Sequence, residues 1–86
     1  MDTNVNETLA ERGNQHGKFS ENAKFSQRVK KLMLANPAWS RLNLQQREAL
    51  EMIAHKISRI LAGDPNHTDH WHDIAGYATL AELSIK

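Results

Sequence analysis

Eighty-six residues, with eleven Lys and Arg against ten Asp and Glu and no cysteine, describe one small domain without disulfides, thiolate metal ligands or a cysteine nucleophile. A chain this short builds a core that is only just sufficient, so assembly into a homo-oligomer is expected to add burial. No apolar run approaches the roughly 18 residues of a membrane span, and the first residues lack a signal peptide's basic and apolar regions, so a cytoplasmic protein with no membrane partner is expected.

The near-neutral balance conceals a dipolar chain. Residues 1–17 carry a net −2, residues 18–59 a net +6 and residues 60–86 a net −3. The basic middle suits phosphate, nucleic acid or an acidic partner, although an ordinary solvated helix face has the same composition. Aromatic residues are few and none alternates with the bases, which argues against a nucleobase-stacking surface.

In chain order, residues 1–18 are polar, contain Gly13 and Gly17, and show little periodicity beyond a short turn through Glu7 to Arg12. They read as a flexible or partner-dependent arm preceding a single helical domain over 19–86. From Ser20, a candidate N-cap, the residues Phe25, Val29, Leu32 and Met33 recur at helical offsets and predict a helix over about 20–35. Lys24, Arg28 and Lys31 form a separate basic stripe on it, suited to a nucleic acid or host-protein partner. Asn36-Pro37 ends this helix, because proline restricts the residue before it and breaks the hydrogen-bond ladder. Trp39 and Leu42 fall in the connection and are expected to plug the end of the core.

Asn43 followed by Gln46 is a capping-box pattern and predicts a second helix over about 44–62. Leu50, Ile53, Ala54, Ile57, Ile60 and Leu61 lie within about 120° on its wheel, and Gly63 stands where a left-handed C-cap belongs. Asp64-Pro65-Asn66 is turn chemistry. A third helix is predicted over about 68–83, with Thr68 as N-cap and Asp69 in the first turn, where an anion meets the positive end of the helix dipole. No strand pattern appears, so the fold class is all-α: a three-helix unit with a polar N-terminal arm, completed as a helical bundle by oligomerisation.

The richest stretch is DHWHDIAGYA at 69–78. On a helix it divides into an apolar side, Trp71, Ile74, Ala75, Ala78 and Ala81, expected in the core, and a second stripe of Asp69, Asp73, Gly76 and Leu80 with Tyr77 and His70 at its border. Asp69 and Asp73 lie one turn apart and could share a divalent cation; the plain alternative is a solvated acidic face beside a glycine that admits a neighbouring helix. On the second helix Glu48, Glu51 and His55 form a polar stripe flanked by Lys56 and Arg59, either a proton- or metal-handling face with phosphate contacts or a set of routine surface pairs. His67, His70 and His72 invite a zinc reading. His70 and His72 are about 200° apart on a helix, however, so they cannot ligate one ion together. His16, in Gln-His-Gly-Lys-Phe, stands isolated.

The runs ERGNQHGKF at 11–19, QREALEMIAHKISRI at 46–60 and DHWHDIAGYA at 69–78 resemble a family of short phage and prophage proteins, itself similar to a trimmed MazG-like all-α nucleotide pyrophosphohydrolase. In that superfamily paired acids on one helix and an acid-x-x-Asp on the next bind magnesium, which holds a nucleoside triphosphate for attack by water between its α and β phosphates. Carried over by position, the resemblance implies a magnesium site of Glu48, Glu51 and Asp73, with Asp69 one position off and His70 where the superfamily has an acid. Lys56, Arg59, Arg12 and Lys18 would then meet phosphate oxygens. Two functional expectations follow: a magnesium-dependent nucleotide pyrophosphohydrolase, or a non-catalytic accessory protein that binds a nucleotide, nucleic acid or host protein in the host cytoplasm.

Overall fold

The computed structural model describes residues 8–9 and 16–85. Among the described residues three α-helices and one 3-10 turn are complete, Thr8, Leu9 and His16 are also helical, and no strand occurs. Helix α1 spans Phe19–Ala35, α2 Leu44–Ala62 and α3 Thr68–Leu83, each within a residue of its predicted bounds, and the 3-10 turn Pro37–Arg41 lies in the connection between α1 and α2. None is long and apolar enough to cross a membrane.

The helix ends follow local chemistry, with three departures. At the start of α1, Lys18 rather than Ser20 occupies the cap, in extended conformation and with no side-chain cap bond. Asn36 ends α1 and starts the next element, its side chain accepting from the Ala38 N–H at 2.9 Å while Pro37 takes the first helical position. The capping box of α2 is complete: the Gln46 N–H donates to Asn43 Oδ1 at 2.7 Å and the Asn43 N–H donates to Gln46 Oε1 at 2.9 Å. Gly63 terminates α2 by donating to the Arg59 carbonyl, but at φ −115° it is not left-handed. The reversal is made instead by Asp64, whose side chain accepts from the Asn66 N–H. His67, not Thr68, is the cap residue of α3.

Helix α2 is central and packs against both α1 and α3. The molecule is long and thin, 48 × 25 × 24 Å, with a radius of gyration of 15.0 Å; a compact chain of this length would give about 12 Å. The core is correspondingly sparse. Among the described residues only Ala49, Ala54 and Ile60 are buried hydrophobics, while Asn22, Ser26, Ser58 and His70 are buried polar groups. Phe25, Val29, Met33, Trp39, Leu42 and Ile53 are half-buried around them, and much of the expected apolar face of α2, Leu50, Ile57 and Leu61, is exposed.

Helix α3 turns a different face inward from the one its hydropathy predicts. His70 is buried and Asp73, Ile74, Tyr77 and Ala81 are half-buried, so the packed stripe runs between the two expected ones. Trp71 is 56% exposed, its indole N–H donating to the Pro65 carbonyl at 2.8 Å, and Ala75 and Ala78 are also exposed. The reason is polar: the inward stripe carries an imidazole and a carboxylate that find partners across the interface, which apolar periodicity cannot register. Gly76 faces open space, with nothing within 4 Å of where a Cβ would stand, so close helix packing within the chain does not explain it.

Candidate functional site

The chemistry gathers at the C-terminal end of α2, where the segment before α1 lies against it. Gly17 has φ +79°, and a Cβ there would collide with the Ala62 carbonyl group. Only glycine satisfies both the left-handed backbone and the contact. The buried Asn22 secures the segment from α1, its amide donating to the His16 carbonyl at 2.7 Å and reaching the Gly17 carbonyl at 3.5 Å. His16 is thereby presented to the start of α3. His16 and Gly17 thus lie against the chain's own helices.

Three imidazoles meet there. His67 at the cap of α3 and His70 one turn into it share a side of the helix, as their spacing of three requires. His16 Nδ1 lies 3.0 Å from His70 Nε2, and the ring centroids of the trio are 4.8, 4.8 and 5.7 Å apart. One ring nitrogen from each lies within 4.8 Å of the others. Only 1% of the His70 surface is exposed. Burial chiefly, then the positive charge of Arg59 and the neighbouring His70, His67 and Lys56, holds the His16 imidazole below its usual 6.5, so it is neutral at physiological pH.

His16 also forms one wall of a cleft of about 580 Å³, within the roughly 300–1,000 Å³ of small-ligand sites. Its polar lining is His16, Lys18, Asn22, His55 and Arg59, with Leu9 and Phe19 as apolar rim; among the described residues no carboxylate lines it. Neither Lys18 nor Arg59 has a carboxylate partner among the described residues. Burial first, then Arg59, Lys30 and Lys56, lowers the His55 pKa, so the cleft carries a positive field around neutral imidazoles.

Of the basic residues assigned to phosphate from the sequence, Lys18 and Arg59 are brought together in this cleft. Lys56 is turned away to α3, where its ammonium pairs with Asp73 at 2.8 Å; Arg12 lies outside the described residues. That ammonium, through its hydrogen bond, holds the Asp73 carboxyl below the usual carboxylate range. Glu48 is exposed and Glu51 half-buried on α2, and Asp69 is exposed with its carboxylate 3.7 Å from His67 Nε2. Among the described residues the group of metal-ligand atoms that converges is the histidine trio, and the four acids do not form such a group. Lys24, Arg28 and Lys31 are exposed along α1. The separation of His70 from His72 is as the wheel requires, one buried and the other exposed, but the third imidazole comes from His16, 54 residues before His70. Gly17 beside it was the one local hint.

Fold and site together define a small all-α protein whose polar chemistry, among the described residues, is concentrated where the N-terminal segment meets the α2–α3 turn. The chain belongs to the family described as a domain of unknown function (DUF6378), which matches residues 1–84. No curated protein and no solved structure matches it.

Proposed function

We propose that this protein binds a phosphate-bearing small ligand of the nucleotide class in the cleft between the N-terminal segment and α2. The observation that carries the reading is the cleft's lining among the described residues: one guanidinium and one ammonium that pair with no described carboxylate, two imidazoles, and no described acid. Arg59 offers a planar fork for phosphate oxygens and Lys18 a mobile point charge, while Asn22, His16 and His55 flank them. The exposed Phe19 at the rim offers an apolar face to a base or sugar. Nothing in this arrangement requires bond cleavage, which favours the binding reading over the magnesium pyrophosphohydrolase. For hydrolysis Asp73 would have to leave Lys56 and join Glu48, Glu51 and Asp69 around magnesium.

Calorimetric titration of the protein with nucleoside triphosphates, monophosphates and inorganic phosphate, with and without magnesium, tests the reading. Saturable binding that weakens about tenfold or more in Arg59→Gln is expected, the usual cost of a lost charged hydrogen bond. No binding, or equal binding by the variant, overturns it. Release of monophosphate and pyrophosphate, abolished in a Glu51→Ala, Asp73→Ala double variant, would replace it with the hydrolase.

The exposed stripe Lys24, Arg28 and Lys31 supports a second contact, to an acidic host protein or nucleic acid. The exposed Leu50, Ile57, Leu61, Trp71, Leu80 and Leu83 support a homo-oligomer.

A further inference from the structure

We propose that His16, His67 and His70 form a binding site for one divalent transition-metal ion of the zinc class, three imidazole ligands with a fourth position open, that fastens the N-terminal segment to α3. This site goes beyond the phosphate cleft and does not depend on it. Three histidines around a four-coordinate ion is an established arrangement for zinc, and imidazole nitrogen selects zinc, copper or nickel over magnesium and calcium. The geometry is close to what the ion needs. Metal–nitrogen bonds of about 2.0–2.1 Å in a tetrahedron place ligand nitrogens about 3.3–3.4 Å apart. Here one pair is at 3.0 Å and all three donor atoms lie within 4.8 Å, so small ring rotations complete the set.

The surroundings are built to hold these rings. Gly17 and Asn22 fix the backbone that carries His16, and His70 is anchored in the first turn of α3 with 1% exposure. Asp69, 3.7 Å from His67 Nε2, places a carboxylate beside the trio, the kind of neighbour that orients a ligating imidazole and offsets the ion's charge. The cost is electrostatic, since Arg59 and Lys56 stand near enough to act on His16. An anion or hydroxide in the fourth position relieves it. The chain has no cysteine, so no thiolate competes for a soft ion.

The test titrates the full-length protein with Zn²⁺ against a chromophoric chelator in the absence of nucleotide, alongside His16→Gln, His67→Gln and His72→Gln. His67 is half-buried and His72 exposed, so these changes spare the buried His70, and circular dichroism confirms that each variant keeps its helices. One zinc per chain is expected, weaker by more than about a hundredfold in His16→Gln and His67→Gln, beyond the usual loss on removing an outer partner, and unchanged in His72→Gln. Co²⁺ should show the intense visible absorption of a tetrahedral site in the wild type and in His72→Gln, and not in His16→Gln or His67→Gln. No zinc binding, wild-type affinity in both His16→Gln and His67→Gln, or loss on His72→Gln would overturn the site.

Discussion

The two ends of α2 are built on different principles. At its N-terminus Asn43 and Gln46, three residues apart, satisfy each other's backbone, and Asn43 donates onward to Ser84 Oγ at 3.1 Å to join the end of α3. That end is capped by its own neighbours and tied to the close of α3 by one neutral hydrogen bond. At its C-terminus the partners come from three parts of the chain: Gly17 against Ala62, His16 against His70, and Arg59 beneath the same cleft. One end secures the fold and the other assembles the chemistry, so damage to each should be separable.

The sharpest way to break that division is Gly17→Val. A β-branched residue has neither the left-handed backbone nor the space against Ala62, so the segment should undock rather than distort α2, at a cost of about 1–3 kcal/mol. Ligand binding in the cleft and the His16–His70 contact should be lost while helical circular dichroism survives. Intact binding with unchanged denaturant stability would show that the segment does not need this contact.

The converse change, Asn43→Ala, should cost about 1 kcal/mol, or roughly 4–8 °C in a domain of this size, with no effect on the cleft. A calorimetric melt and a ligand titration on the same sample check it; altered affinity would mean that the two ends are coupled.

Acid provides a gentler probe that should discriminate between them. His16 and His55 titrate below their ordinary 6.5 in the folded state, so the unfolded chain binds more protons as pH falls past that value. The stability they contribute is complete above about pH 6.5 and is lost as pH falls through the folded values. Asp73, lowered from 3.8, adds a second loss in stronger acid. Melting temperature should therefore decline from about pH 7 to about pH 5 in the wild type, less steeply in a His16→Gln, His55→Gln variant, and with unaltered slope in Asn43→Ala. Equal slopes in all three would place the acid sensitivity elsewhere.

The same contrast explains what could be read from the chain. Helix bounds were legible because proline, the capping box and the Asp64 turn act within a few residues of themselves. The inward face of α3 was not, since a sparse core lets His70 and Asp73 take interface positions that hydropathy assigns to Trp71 and Ala78. Arg59 and Lys18 could be singled out by charge, but their meeting depends on the close approach of Gly17. His16 stood alone in the sequence because the imidazoles it meets, His67 and His70, come more than 50 residues later and reach it only once the helices have packed.

The exposed indole of Trp71 has an optical consequence. The chain has two tryptophans, Trp39 in the 3-10 turn ahead of α2 and Trp71 next to His70 after it. Trp71 is held to Pro65, in the turn leading to the histidine cluster, so each end of the central helix carries its own intrinsic fluorophore. Single Trp→Phe variants would turn emission into a position-resolved readout, in which events at the histidine end change one colour and leave the other still.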